Sequence, residues 1–335
     1  MWRNVLITAG SRRVPLVQAF QQALRAGGGG HVVVTDINPL SPTVYVADRA
    51  CRVPLSSDPG YLDAVLDICR TERVGLVIPT IDEELSVFAR GVERFASEGI
   101  RVVVSPPATA DACFDKVETS RVLQAHGVAA ADTCTPATLP AAPAFPLFIK
   151  PRFGRGSVGA FRVRNARELA FFRDYVQDPV VQTYLDGPEF TIDVLCDFDG
   201  SPLAVVPRER VVVRAGVVDR ARTVRDPRLI ELGLACANAM AFVGAVNIQC
   251  RIVGGTPVVF EINPRFSGGI PLTIAAGADF PRVIVDLARD RPVAPFVGHF
   301  LDGLWMTNYE SSVFVSASAV SFSRPALRTR IPEVA

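Results

Sequence analysis

Apolar and amphipathic segments alternate along the first part of the chain, and this alternation limits the fold more than any other feature of the sequence. Short apolar runs favour β-strands, and the segments between them have the spacing of amphipathic helices. Such alternation is typical of a parallel sheet with helices on both faces. The predicted strands are Asn4–Thr8, His31–Thr35, Val74–Ile78 and Arg101–Val104, and the predicted helices are Val14–Ala26, Pro59–Thr71 and Glu83–Ser97.

Ligands of such sheets bind beyond the carboxyl ends of the strands. The segment after the first predicted strand, Ala9–Arg13, lacks the Gly-x-Gly-x-x-Gly spacing of a dinucleotide site. We therefore interpret this sheet as a substrate-side domain. Asp82 and Glu83 lie at the start of the last predicted helix. They either bind a substrate ammonium group or are ordinary first-turn acids.

Lysine is rare in this chain, where Lys116 and Lys150 are the two lysines among 35 basic residues. The ammonium group is a compact point charge and guanidinium is a planar fork, so a retained lysine indicates a site that needs the point charge. Lys150 ends an apolar run that reads as a strand, and Lys116 begins a helical pattern. A lysine like Lys116, taken alone, is more often a solvated helix lysine than a phosphate ligand.

The segment after Lys150 reads as a flexible loop with three glycines. Such a loop presents backbone N–H groups and cations to a polyphosphate. It is not a Walker A loop, and a basic hairpin turn is the alternative interpretation. The candidate phosphate-binding residues of this loop are Gly154, Arg155, Gly156 and Ser157.

A second strand pattern carries oxygen-bearing side chains. Glu261 and Asn263 are two residues apart in a predicted strand, so they point to the same side. Gln249 lies on the preceding predicted strand, and we expect it across from Glu261. Mg²⁺ prefers oxygen ligands and completes its shell with phosphates and water. Arg265 would then face a phosphoryl group, whereas an ordinary hairpin with an ion-paired Glu is the alternative.

The order of these motifs resembles the ATP-grasp superfamily, and within it the ATP-binding halves of the carbamoyl-phosphate synthetase large chain. The resemblance runs from about residue 1 to about residue 300. It implies the ATP-grasp fold with an N-terminal Rossmann-like (pre-ATP-grasp) parallel sheet domain, of class α/β. It also implies ATP and Mg²⁺ (or Mn²⁺) as cofactors. The synthetase's second ATP half and its glutaminase partner have no counterpart here.

The resemblance also implies roles for individual residues. Lys116 and Lys150 would hold nucleotide phosphates, and Arg265 would face the transferred phosphoryl group. Main-chain groups of the hinge would contact adenine, and Glu189 would hold the ribose hydroxyls. Thr183 departs from the family pattern, in which an acidic residue is common. The implied hinge residues are Gln182, Thr183, Tyr184 and Leu185, and the implied metal ligands are Gln249, Glu261 and Asn263.

Four regions follow from these assignments. The N-terminal sheet domain is expected at residues 1–108, and linker helices with a small lid subdomain at 109–185. The central antiparallel sheet is expected at 186–315, and a mobile tail at 316–335. Between the hinge and the metal strands lies a run of arginines. Arg208, Arg210 and Arg214 would share a strand face, and Arg214 is the candidate for binding the carboxylate to be activated, with a solvated sheet face as the alternative.

Composition is that of a soluble enzyme. A net charge of +1 gives no electrostatic case for a nucleic-acid or membrane partner. The seven cysteines show neither paired spacing nor a Cys-x-x-Cys motif, which favours a cytoplasmic location. The apolar stretch from Leu229 to Ile248 reads as a helix and a strand and not as a membrane span. We expect small-molecule partners, and a homodimer stays open.

Three function classes remain at this point. The first is an ATP-dependent carboxylate–amine ligase that forms an acyl phosphate from a small acid or amino acid and then an amide. The second is a synthetase-like kinase of a small carboxylate. The third is a nucleotide-binding protein without catalysis. Phosphoryl transfer in the first two classes depends on positioning and on neutralising charge, so the sequence does not identify the acid or the amine.

Overall fold

A computed structural model describes residues 4–154, 156–214 and 216–320 of the chain. These residues form two compact units. The first comprises 4–104, 281–292 and 309–320, and the second comprises 105–280 and 293–308. The predicted N-terminal boundary at 108 lies close to the observed division. The return of 281–292 to the first unit was not predicted. The second unit contains both predicted regions 109–185 and 186–308, so the predicted border between them stays a prediction.

The first unit is built on a parallel sheet, as predicted, and the sheet has five strands where the sequence predicted four. Strands Val32–Asp36 and Val74–Ile78 are buried along their whole length, because helices cover both faces of a parallel sheet. The strand order is β3-β2-β1-β4-β5. The elements are β1 (Asn4–Ile7), α1 (Val14–Gly27), β2 (Val32–Asp36), α2 (Thr43–Val46), β3 (Arg49–Arg52), α3 (Tyr61–Thr71), β4 (Val74–Ile78), α4 (Asp82–Ala96) and β5 (Arg101–Val102).

The turn into α4 is held by a carboxylate that the sequence analysis did not single out. Glu84 has no exposed surface. It accepts hydrogen bonds from the hydroxyl groups of Thr8 and Tyr61, each at 2.7 Å, and from the backbone N–H of Thr80. Burial raises the pKa of Glu84, and these hydrogen bonds oppose the rise. Asp82 and Glu83 occupy the first turn of α4, and their proposed contact with a substrate ammonium stays a prediction.

The second unit begins with two helices and a small antiparallel sheet. The sheet order is β6-β9-β7-β8, and the glycine loop connects β7 to β8. The elements are α5 (Pro107–Phe114), α6 (Lys116–Ala125), β6 (Thr133–Cys134), β7 (Leu147–Pro151), β8 (Phe161–Val163), α7 (Ala166–Tyr175) and β9 (Pro179–Thr183).

A six-stranded antiparallel sheet completes the second unit, in the order β14-β13-β10-β11-β12-β15. The chain from Leu229 to Ile248 is a helix followed by a strand, as predicted. None of the described helices is long and apolar enough to cross a membrane. The elements are β10 (Glu189–Cys196), β11 (Pro202–Arg214), β12 (Val217–Thr223), α8 (Pro227–Ala239), β13 (Gly244–Val253), β14 (Thr256–Asn263), α9 (Ile270–Ala275), α10 (Phe280–Leu287, which crosses into the first unit) and β15 (Trp305–Thr307).

Alternation along β10 separates the core of this sheet from its polar face. Ile192 and Val194 are fully buried in a cluster that includes Leu229 of α8. Each such side chain contributes about 1.5–3 kcal/mol when it is removed from water. Glu189 and Asp193 therefore point to the opposite face, because successive side chains of a strand alternate. That face carries the candidate site.

Two further predictions concerned the C-terminal tail and the cysteines. Residues 316–320 of the predicted tail include a short 3₁₀ turn at Ala317–Ala319, and residues 321–335 lie outside the described part of the chain. All seven cysteines are free thiols. The cytoplasmic location stays a prediction.

Candidate nucleotide and metal site

A cleft of about 1070 Å³, including its part open to solvent, lies within the second unit. Its walls come from the small sheet with its glycine loop, from α6 and from the polar face of the large sheet. Concave sites that combine apolar walls with a few convergent polar groups are typical of small-molecule sites. The predicted residues that line it are Lys116, Lys150, Gly154, Gly156, Ser157, Gln182, Thr183, Tyr184, Leu185, Glu189, Gln249 and Glu261.

Three predicted residues are not among those that line the cleft, and one is not described. Asn263 and Arg265 follow Glu261 at the end of β14 but are not among the lining residues. Arg214 has 70 % of its side chain exposed and lies 3.4 Å from Asp219. Arg155 lies outside the described residues.

Lys116 is placed by the start of α6. Asp115 caps this helix by accepting hydrogen bonds from the N–H groups of Val117 and Glu118. It also holds Arg152, with an Nη2–Oδ2 distance of 2.6 Å. Burial alone would raise the pKa of Asp115, but the hydrogen bonds from Arg152 and Val117 outweigh it and lower the pKa.

The ammonium group of Lys116 therefore points to the start of the glycine loop. Its Nζ donates to the carbonyl oxygens of Arg152, at 3.3 Å, and Gly154, at 3.0 Å. The side chain is buried, with 7 % of the residue exposed. A solvated helix lysine, the plainer interpretation of the sequence, does not describe this position.

Lys150 enters the cleft from β7. Its Nζ donates to the carbonyl oxygen of Phe260 at 3.2 Å and lies 3.8 Å from Glu261 Oε2. Burial lowers the pKa of Lys150 to about 8, an effect that Glu261 opposes and Lys116 reinforces. The two lysines thus lie on one cleft, where an anion would relieve their repulsion.

The candidate metal ligands are brought together by strand register. Gln249 on β13 pairs directly with Glu261 on β14, so the expected cross-strand position is confirmed. Asn263, two residues after Glu261, pairs with Asn247. The Nδ2 of Asn263 donates to Glu261 Oε1 at 3.2 Å. Within the described ranges, no three His, Cys, Asp or Glu side chains cluster as metal ligands. The site would therefore consist of one carboxylate and two or more amide oxygens.

This donor set fits Mg²⁺. Hard amide and carboxylate oxygens with a single carboxylate leave positions for phosphate oxygens and water. Asn247, buried next to Asn263, has an Oδ1 atom for which the described residues provide no hydrogen-bond partner. A buried carbonyl oxygen without a donor is the group that a cation or a metal-bound water would satisfy. Arg265 donates to Asn263 Oδ1 at 3.1 Å, so a metal at Asn263 shares or displaces this contact.

Arg208 and Arg210 lie on the same face of β11, but Arg214 does not share it, contrary to the prediction. The pairing of β11 with β12 shifts between Arg210 and Val213, and this irregularity breaks the period of two before Arg214. Arg208 is buried under the polar face, where it pairs with Asp193 at 2.8 Å and donates to Ser267. Arg210, and not Arg214, lines the cleft.

Two arginines hold Glu189, and the sequence analysis assigned neither of them to the nucleotide. Arg210 Nε lies 2.8 Å from Glu189 Oε1, and Arg251 Nη2 lies 2.5 Å from Oε2. Both arginines line the cleft. The period of two along a strand could have identified Arg251, which is two residues after Gln249 on β13. Arg210 is on β11, which neighbours β10.

Two family models match the chain. Residues 5–103 match the PylC-like N-terminal domain, and residues 175–310 match ATP-grasp in the biosynthetic pathway with Ter operon. The crystal structure of L-amino acid ligase from Bacillus licheniformis aligns with 87 % of this chain and 75 % of its own, with a TM-score of 0.68 and 20 % identity. The chain has the ATP-grasp fold. The predicted fold class is thereby confirmed.

Two other similar proteins extend the comparison. The biotin carboxylase domain dimer of 2-oxoglutarate carboxylase from Hydrogenobacter thermophilus, solved with MgADP and bicarbonate, aligns with 91 % of this ATP-grasp chain and 73 % of its own, with a TM-score of 0.70 and 17 % identity. The arginine-specific carbamoyl phosphate synthase large chain of Geobacillus stearothermophilus is 24 % identical over 301 residues, which cover 84 % of this chain and 28 % of that protein. The chain thus spans little more than a quarter of that relative's length. The predicted resemblance to this large chain is confirmed, and ATP with Mg²⁺ agrees with the ligands of the carboxylase structure.

Proposed function

We propose that this ATP-grasp protein is an ATP-dependent ligase that joins a carboxylate to an amine. The observation that carries the proposal is the arrangement of one cleft, in which Lys116 and Lys150 lie with the Glu261–Gln249 oxygen pair. Two lysines without nearby oxygen ligands for a metal would suit a simple anion site. Two lysines together with such oxygen ligands suit a polyphosphate bound with Mg²⁺.

The proposed reaction consists of two transfers. A phosphoryl group passes from ATP to the acid, and the acyl group then passes to the amine. A carboxylate oxygen of the acid attacks the γ-phosphorus of ATP, and ADP leaves with the electrons of the broken P–O bond. The amine nitrogen then attacks the carbonyl carbon of the acyl phosphate, loses a proton, and phosphate leaves. The products are ADP, phosphate and an amide.

The chain's own residues act by position and charge. Lys116 would hold the phosphates at the start of the glycine loop, and Lys150 would hold them deeper in the cleft. Glu261, Gln249 and Asn263 would hold Mg²⁺, which neutralises phosphate charge when bound. Arg265 would move from Asn263 to the transferred phosphoryl group, where its fork donates two hydrogen bonds.

The nucleotide's other end would lie at the hinge. Gln182 is fixed by donating through Nε2 to Thr133 Oγ1 at 2.7 Å and to the carbonyl oxygen of Phe260 at 3.4 Å. Main-chain groups from Gln182 to Leu185 would contact adenine, and Glu189 would accept from the ribose hydroxyls. The small-molecule acid and amine and the homodimer stay proposals, as does the division of the second unit into lid and central sheet.

The test is an ADP-release screen of acids and amines, singly and in pairs, with the product mass measured. The proposal expects ADP only when both are present and a product whose mass is the sum of the two less water. Hydroxylamine should replace the amine and give a hydroxamate. Accumulation of a phosphorylated acid would favour a kinase, and tight ATP binding without ADP release from any mixture would favour a binding protein.

A further inference from the structure

The glycine loop touches the turn between β11 and β12, and the two backbones meet at a pair of glycines. A Cβ atom on Gly216 would lie 2.7 Å from the carbonyl carbon and oxygen of Gly156. Both residues have positive φ angles, 70° at Gly156 and 75° at Gly216. The approach therefore requires a residue without a side chain at position 216. We name this approach of Gly156 to Gly216 the loop–turn contact.

Arg210 joins the loop–turn contact to the other end of the cleft. Its Nε lies 2.8 Å from Glu189 Oε1, and its Nη2 donates to the carbonyl oxygen of Gly216 at 3.1 Å. The side chain is 7 % exposed. Burial lowers the pKa of Arg210, and the charge of Glu189 opposes this. One planar side chain thus holds both a cleft carboxylate and the turn that supports the loop.

Glu189 has acceptor capacity beyond its arginines. An ionised carboxylate offers about four lone-pair positions. Arg251 donates a hydrogen bond to Oε2 and Arg210 lies beside Oε1 as an ion pair, so acceptor positions remain on both oxygens. Vicinal hydroxyl groups, such as those of ribose, are donors that match two adjacent acceptors. Such hydroxyl groups would donate to the same carboxylate, Glu189, that also holds Arg210.

We propose that Arg210 is a positioning residue that links recognition of the ribose hydroxyls by Glu189 to the loop–turn contact. A bound nucleotide with both hydroxyls then fixes Glu189 and Arg210, and through the Gly216 carbonyl oxygen it stabilises the glycine loop over the phosphates. The inference rests on the proposed nucleotide site and adds a linkage between its two ends. Lysine cannot replace Arg210 in this role, because a point charge reaches Glu189 or Gly216 but does not bridge them.

The test measures hydrogen–deuterium exchange of the segment from Gly154 to Gly159 by mass spectrometry, with magnesium and saturating nucleotide. The two nucleotides are ATP and 2′,3′-dideoxyATP, which lacks both hydroxyls. In the wild-type protein we expect ATP to slow exchange of this segment about tenfold more than the dideoxy nucleotide does, a typical size for coupling between two sites. In Arg210→Lys we expect the two nucleotides to differ by less than about twofold.

Three variants separate the linkage from general damage. Arg251→Lys alters the other oxygen of Glu189 and a hydrogen bond to the Gly187 carbonyl oxygen, but it does not touch the turn, so the difference between nucleotides should persist at saturation. Arg222→Lys, whose arginine pairs with Glu209 outside the cleft, should behave like wild type. Gly216→Ala should lose slow exchange with both nucleotides while it still binds ATP more tightly than dideoxyATP.

The outcomes are distinct. Equal protection by ATP and dideoxyATP in the wild-type protein would overturn the inference and leave the nucleotide site intact. An undiminished difference in Arg210→Lys would also overturn it. Failure of the wild-type protein to bind ATP at all would refute the proposed function, and the inference would fall with it.

Discussion

The charge of Lys150 should control ATP affinity between pH 7 and pH 9. Its pKa is lowered to about 8 by burial. The folded protein therefore carries the charged form in about 90 per cent of molecules at pH 7 and about 9 per cent at pH 9. If the charged form binds the phosphates, the apparent dissociation constant for ATP rises by the inverse of this fraction, about tenfold across the window.

Protonation of Lys150 and ATP binding should favour each other. Bound phosphate favours the ammonium form, so the pKa of Lys150 rises when ATP binds, and ATP binding above pH 8 takes up a proton. Isothermal titration calorimetry with magnesium present gives both quantities. The affinity comes from titrations at pH 7, 8 and 9, and the proton uptake comes from two buffers with different ionisation enthalpies.

Lys150→Arg is the matched control, because guanidinium stays charged throughout this range. It should bind ATP more weakly than the wild type at pH 7, since the fork does not reproduce a point charge in a buried position. Its affinity should also be independent of pH from 7 to 9, because phosphate ionisation lies below this window. A wild-type affinity that is flat over the window, or a tenfold loss that Lys150→Arg shares, would refute the assignment.

Three further substitutions test the site. Glu261→Gln should lower magnesium affinity at least about tenfold while the circular dichroism spectrum is unchanged, and full turnover at ordinary magnesium would contradict the metal site. Lys116→Arg should weaken ATP binding, because a planar guanidinium group cannot repeat the two hydrogen bonds of the buried Nζ. Near wild-type kinetics would contradict the role of Lys116. Arg265→Ala should lower kcat about 100-fold, whereas Arg214→Ala, whose side chain is 70 % exposed, should change it less than about twofold. Equal losses in these two variants would contradict the different roles assigned to Arg265 and Arg214.

Features with a fixed local period could be predicted from the sequence. The parallel sheet followed from alternation of apolar and amphipathic segments, and β4 has the predicted bounds Val74–Ile78. The Gln249–Glu261 pair followed from two strands joined by a short turn, because the turn fixes the register. Short elements such as α2 and β3 carry too few residues for a period and were missed.

Contacts that depend on register between distant strands could not be predicted. The irregular pairing between Arg210 and Val213 removes Arg214 from the cleft, and period-two counting does not see it. The pairing of Arg208 with Asp193 and of Arg210 with Glu189 likewise requires the alignment of β10 with β11. Ion pairs that form across a sheet are therefore the part of this site that the structure adds.

The central proposal is that a carboxylate is activated as its acyl phosphate, and oxygen transfer measures this most directly. An acid that supports ADP release is labelled with ¹⁸O in its carboxylate and incubated with ATP, magnesium and the amine. The released phosphate is then analysed by mass spectrometry. The ligase mechanism predicts one ¹⁸O atom in each phosphate, because the carboxylate oxygen that attacks the γ-phosphorus leaves with it. Unlabelled phosphate, released together with ADP and amide, would contradict the account.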